Sequence, residues 1–160
     1  MELVGDKLII NDESLANSLH SKGSIGTLVK TRLELSMVEA YYLMNKGKID
    51  MIPSFVKKAS RFDKRFIIRY KVFENLRNNG YVVKTALKYG FDYRVYEKGS
   101  NMGDEHAKWL VNCFSENEKY SWKDYSKMMR IAHSVKKKAL IAVVDDEGDV
   151  TFWESGWNKV

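Results

Sequence analysis

The chain has 160 residues, 44% of them hydrophobic and 12% aromatic, ample for a packed core in one domain or two small ones. Twenty-seven Lys and Arg against 21 Asp and Glu leave a formal charge of +6, a moderate excess that suits a polyanionic partner. A single cysteine, Cys113, excludes an internal disulfide, and three histidines and one cysteine without paired-ligand spacing argue against zinc.

The amino terminus, MELVGDKLIINDE, is acidic and alternating and lacks the charged start and long apolar block of a signal peptide. The longest apolar runs, such as 139 to 144, fall far short of the roughly 20 residues a membrane helix needs. A soluble, cytoplasmic protein with no membrane partner is therefore expected. Lys7 to Ile10 is a short apolar run, after which Asn11 and Asp12 can cap a brief helix that ends at Gly23. Gly26 to Leu35 suits strands. Ser36 then precedes MVEAYYLMNKG, where Val38, Tyr41, Tyr42 and Leu43 make a helical stripe and Gly47 supplies a left-handed stop.

A short strand is expected at Ile49 to Ile52, ended by Pro53, the only proline, which with Ser54 opens a helical stretch. Asp63 can cap a longer helix, KRFIIRYKVFENLRNNG, with Phe66, Ile67, Tyr70, Phe73 and Leu76 on one face and Gly80 as terminator. A self-contained small α/β unit precedes, and strands and helices alternate differently afterwards, so a boundary between Pro53 and Asp63 is expected, giving two domains, 1–60 and 61–160. Beyond Gly80, YVVKTALKYG and FDYRVYEKG read as two strands joined by a tight turn at Gly90, followed by a loop from Lys98 to Asp104. AKWLVNCFS is a strand. Ser121 with Asp124 makes a capping-box-like start for a helix whose buried face is expected to carry Trp122, Tyr125, Met129, Ala132 and Val135. ALIAVVDDEGDVTFWES closes the chain as a hairpin about an acidic turn at Gly148.

Function has to come from sites, because no repeat or low-complexity segment is present. The stretch from Lys88 to Ala139 collects a tyrosine-rich strand, a glycine-containing loop ending in a histidine, a second strand, and a helix that closes on three lysines. If these meet, a phenol, an imidazole and an ammonium can surround one phosphate, which is enough to cut RNA without a metal. Asp92, Glu97 and Asp104 lack the acidic-pair-plus-lysine pattern of metal-dependent nucleases, and neither a phosphate-loop lysine motif nor a nucleophilic-serine elbow occurs. His133 reads as a packed or capping residue, and Lys136 and Lys138 as a solvated helix end.

GYVVKTALKYGFDYRVYEKG, the histidine of DEHAKWLV, and RIAHSVKKKALIAVVDDEGDV occur in the order found in the archaeal tRNA-intron (tRNA-splicing) endonucleases, and the chain resembles that family from about Phe66 to its end. The shorter N-terminal half, including LSMVEAYYLMNKG, resembles the family's N-terminal domain. The resemblance implies an α+β fold: a small N-terminal α/β domain, then a nuclease domain with a central mixed β-sheet flanked by helices. It also implies a triad, with Tyr96 as general base, His106 as general acid and Lys137 as electrostatic stabiliser, acting without cofactor or metal. The products would be a 2′,3′-cyclic phosphate and a 5′-hydroxyl. Tyrosine is a poor base at its reference pKa of about 10, so the role calls for a nearby cation.

By the same resemblance the substrate is precursor tRNA, cut at bulge-helix-bulge junctions. Arg130 would stack on a bulged base, with Phe152 or Trp153 as the opposite wall. The acidic turn of Asp145, Asp146, Glu147 and Asp149 would dock into a basic cleft of a neighbouring subunit. One catalytic domain per chain implies a tetramer, either a homotetramer or a heterotetramer with a structural paralogue. The alternative is a non-catalytic subunit or RNA-binding scaffold of a heteromeric enzyme, which would be free to lose the triad.

Overall fold

In a computed structural model, which describes residues 1–100 and 106–160, the chain divides into two units, Met1–Tyr70 and Lys71–Val160. The first contains a four-stranded antiparallel sheet in the order β1-β2-β4-β3, with β1 Glu2–Val4, β2 Lys7–Ile10, β3 Thr27–Val29 and β4 Arg32–Ser36. Helix α1, Glu13–Gly23, starts where expected, because the Asp12 carboxylate accepts from the Leu15 amide. It ends at Gly23 as expected, and Ser24 follows in the left-handed conformation.

Helix α2, Met37–Asn45, is entered through a complete capping box between Ser36 and Glu39. Buried Glu39 also accepts from the Gly26 amide, tying the β3 approach to the helix start. Only glycine fits there. Gly26 has φ +71°, and a Cβ would stand 2.7 Å from Leu33 Cδ1 and 2.9 Å from the Glu34 carbonyl oxygen. Helix α3, Phe55–Phe62, follows Pro53, but Ser54 lies at φ 57° and its side chain makes no cap.

Ile49 to Ile52 is not a strand. The segment occupies four residues between the Gly47 turn and the approach to α3, and Ile49 is buried without a ladder partner among the described residues. Helix α4, Phe66–Asn78, crosses the boundary between the units. Phe66, Tyr70, Phe73 and Leu76 are buried as expected, whereas Ile67 is 43% exposed. It lies one residue out of the i, i+4, i+7 row, on the side shared with Lys71 and Glu74, and Val72 takes up the buried surface instead.

The second unit is built on a five-stranded sheet in the order β5-β6-β7-β8-β9. Its strands are β5 Val82–Thr85, β6 Tyr93–Tyr96, β7 Trp109–Ser115, β8 Lys138–Val144 and β9 Val150–Ser155. All neighbours are antiparallel except β7 and β8, which run parallel from Trp109 beside Lys138 to Ser115 beside Val144. A parallel pair needs a crossover, and α5, Trp122–Ser134, supplies it. The mixed sheet flanked by helices is therefore present.

Between β5 and β6 a 3-10 turn, Leu87–Tyr89, replaces the expected direct hairpin. The first strand stops at Thr85, since Leu87 is exposed and only Ala86 and Phe91 reach the core beside Leu110, Met128, Met129, Ala132 and Ala139. Ser121 caps α5 by accepting from the Asp124 amide. Trp122, expected in the buried face, is 81% exposed at the helix start, and Met128 is buried in its place. The predicted loop from Lys98 to Asp104 falls largely on residues 101–105, outside the described residues.

Candidate active site

Strand order brings the ends of β6, β7 and β8 together at one edge of the second unit. Tyr96 is the last residue of β6, His106 and Ala107 lead into β7, and Lys137 immediately precedes β8. Tyr96 is buried in a small cluster with Val82 and Ala107. The Lys137 ammonium donates to the Ala107 carbonyl oxygen at 2.7 Å. Ala107 thus meets both the phenol-bearing residue and the amine, and its chain neighbour is His106, which is exposed. The three residues singled out by sequence gather around this one peptide segment.

The backbone distinguishes three successive lysines. Lys136 is in the left-handed region at φ 58° and ends α5 in a Schellman arrangement, with the Lys136 amide donating to the His133 carbonyl and the Lys137 amide to the Ala132 carbonyl. That reversal turns Lys137 toward Ala107. Lys138, the first residue of β8, points the other way and pairs with Glu154 at 3.1 Å. Glu154 also accepts from the Trp109 indole, and this bond first, then Lys138, holds its carboxyl below the usual carboxylate range. Lys108 lies over the Trp109 ring and bonds Glu97, which raises its ammonium above the ordinary lysine value.

Strand alternation separates the two candidate aromatics. Helix α5 covers the face of the sheet that carries Ala139 and, at its margin, Ile141, and Trp153 is the register partner of Ile141. Trp153, 54% exposed, therefore emerges on the α5 side, the helix on which Arg130 is also exposed. Phe152 pairs with Ala142 and faces the opposite side, lining a cavity with Tyr81, Trp109 and Leu140.

In the acidic turn, Asp145 accepts from the Glu147 and Asp149 amides through one carboxylate oxygen, and Gly148 has φ +84°. Asp146, Glu147 and Asp149 are exposed. Of the acids weighed against a metal-dependent nuclease, Asp92 accepts from the Cys113 amide, Glu97 pairs with Lys108, and Asp104 lies outside the described residues. Among the described residues no group of three His, Cys, Asp or Glu side chains could hold a metal ion, and no helix is long and apolar enough to cross a membrane.

One feature gave no signal in the sequence. The His133 imidazole packs against the Trp157 indole, ring centroids 4.5 Å apart, beside a pocket of about 230 Å³ that Lys137 also lines. A helix-end histidine and a tryptophan 24 positions later carry no common periodicity that would pair them.

A family model described as "tRNA intron endonuclease, catalytic C-terminal domain" matches residues 66–152, and one described as "tRNA intron endonuclease, N-terminal domain" matches residues 1–58. The chain is also similar to proteins named tRNA-splicing endonuclease. The one from Methanothermobacter thermautotrophicus is 37% identical, covering 96% of this chain and 95% of its own length. The one from Pyrococcus furiosus is 40% identical over 98% and 95%, and the one from Nanoarchaeum equitans 38% over 79% and 90%.

Proposed function

Since the chain belongs to the tRNA intron endonuclease family, we propose that it excises introns from precursor tRNA by cutting at bulge-helix-bulge junctions, with Tyr96, His106 and Lys137 as its triad. The observation that carries the reading is the Lys137 amine on the Ala107 carbonyl, with Tyr96 packed on that same alanine and His106 next to it in the chain.

Tyr96 takes the proton of the 2′-hydroxyl, whose oxygen attacks phosphorus. The bond from phosphorus to the 5′-oxygen breaks, and His106 gives that oxygen a proton. Lys137 stabilises the charge gathering on the non-bridging oxygens, a role that typically contributes 10²- to 10³-fold. Base, acid and cation are all side chains, so the reaction is expected to proceed without a divalent ion and to leave a 2′,3′-cyclic phosphate and a 5′-hydroxyl. Arg130 and Trp153 would hold a bulged base, with Phe152 kept for packing or subunit contact. Residues 61–160 would form the catalytic domain and residues 1–60 the N-terminal one.

The test is incubation of the purified chain with a bulge-helix-bulge RNA in excess chelator, with end-group analysis of the fragments. Cyclic-phosphate and 5′-hydroxyl ends support the reading and identify a self-sufficient enzyme. Cleavage only after a second subunit is added selects the heterotetramer, and 3′-hydroxyl ends or dependence on a divalent ion would refute the mechanism.

A further inference from the structure

The pocket beside Lys137 is a second feature of this edge of the sheet, and the triad chemistry does not use it. It is lined by Met129, Ala132 and His133 of α5, Lys137, and the stretch from Glu154 to Trp157 that leaves β9. Its volume is about 230 Å³. This is the scale of a single heterocycle, too small for a stretch of duplex. One wall is an aromatic pair, His133 against Trp157 with planes inclined at 57°, and Trp157 remains 45% exposed. The floor is apolar, from Met129 and Ala132, which are buried. Lys138, Glu154 and Ser155 complete the lining, with their polar groups engaged by one another and by Trp109 and Tyr125.

A site of mixed polarity with one partly open π-face suits an unstacked base, which needs a ring to stack on. Lys137 fixes which base this is. A phosphodiester held by the Lys137 amine carries a nucleoside on each side, and the pocket shares that lysine with the site of cleavage. We propose that the His133–Trp157 pocket receives the nucleobase adjoining the scissile phosphate, making Trp157 a residue that binds and selects the nucleotide at the cut. The inference rests on the cleavage reading above and extends it to a contact outside the triad.

Two measurements on the full-length protein test it separately from that reading. In the first, 2-aminopurine is placed in the bulge-helix-bulge RNA on either side of the cut in turn, and its fluorescence is followed on binding in chelator. Stacking on Trp157 predicts quenching at one of the two positions, lost in Trp157→Ala and largely recovered in Trp157→Phe. In the second, cleavage kinetics compare wild type and Trp157→Ala on intact RNA and on RNA abasic at the quenched position. The expected result is a five- to hundredfold rise in KM for Trp157→Ala on intact RNA. That penalty should vanish on the abasic RNA, because both changes remove one contact.

Cleavage with no quenching at either position, or a Trp157→Ala penalty that persists on abasic RNA, overturns the base pocket and leaves the nuclease standing. Quenching that depends on Trp157 where neither the chain alone nor the chain with a second subunit cuts supports the pocket and refutes the triad chemistry. Neither quenching nor cutting in both settings overturns both.

Discussion

Lys136, Lys137 and Lys138 are adjacent and chemically identical, yet they meet three different surroundings. The first is exposed at a left-handed φ, the second reaches the Ala107 carbonyl, and the third pairs with Glu154 across the sheet. Sequence spacing alone could not separate them. The left-handed stops at Gly47 and Gly80 were legible because they are glycines, but here, as at Ser24 after α1, the reversal is made by another residue. From this it follows that Lys137→Ala should lower single-turnover cleavage by about 10²- to 10³-fold, with RNA binding changed far less. Lys136→Gly should leave cleavage near the wild-type rate and raise stability by about 1 kcal/mol or less in denaturant titrations, because glycine adopts the same backbone without a Cβ penalty. Equal losses for both substitutions would mean that the triplet acts only as diffuse charge.

At the scale of elements, periodicity and capping residues located nearly every helix and strand. Of the two misplaced apolar residues, Ile67 sits off the buried row of Phe66, Tyr70 and Phe73, and Trp122 stands at the exposed first position of α5. Ile49 to Ile52 has strand-like residues but no described strand to pair with. The edge strand β9 was expected, whereas the polar tie that fastens it was not: Glu154 reaches Trp109 on β7 and Lys138 on β8, contacts between residues up to 45 positions apart. This tie has a pH signature. Because the folded carboxyl lies below its ordinary value, the charged form favours folding at neutral pH. That contribution is present above the ordinary carboxylate range and is lost as pH falls through the depressed value of Glu154. Wild type should therefore melt about 1 to 3 °C above Glu154→Gln at neutral pH, with the gap closing as the pH falls below the ordinary carboxylate range. Thermal melts across that range check it, and a gap that widens in acid would reverse the assignment.

For the molecule as a whole, the two-part organisation and the nuclease family were legible from motif order, while assembly is legible only as an exposed acidic turn. Its four acids do different work. Asp145 holds the turn together through two amides, so replacing it would disrupt the hairpin itself. Glu147 and Asp149 are exposed, and their carboxylates are free to meet a basic cleft on another subunit in the proposed tetramer. Glu147→Lys with Asp149→Lys should leave the circular dichroism spectrum unchanged, reduce the mass seen by light scattering from tetramer toward dimer, and abolish paired cutting of both junctions. A tetramer that survives the double reversal would place the assembly contact elsewhere.

The Schellman closure of α5 has one more consequence, for how RNA is captured. Its last carbonyls, at Ile131, Ala132 and His133, already hold donors from Ser134, Val135, Lys136 and Lys137. The peptide groups at this end of the helix therefore offer an incoming strand no amides, and long-range attraction falls to the ammonium tips. Their reach shrinks to about 8 Å in physiological electrolyte. Added potassium chloride should accordingly slow encounter well before it affects the rate of bond breaking in RNA already bound.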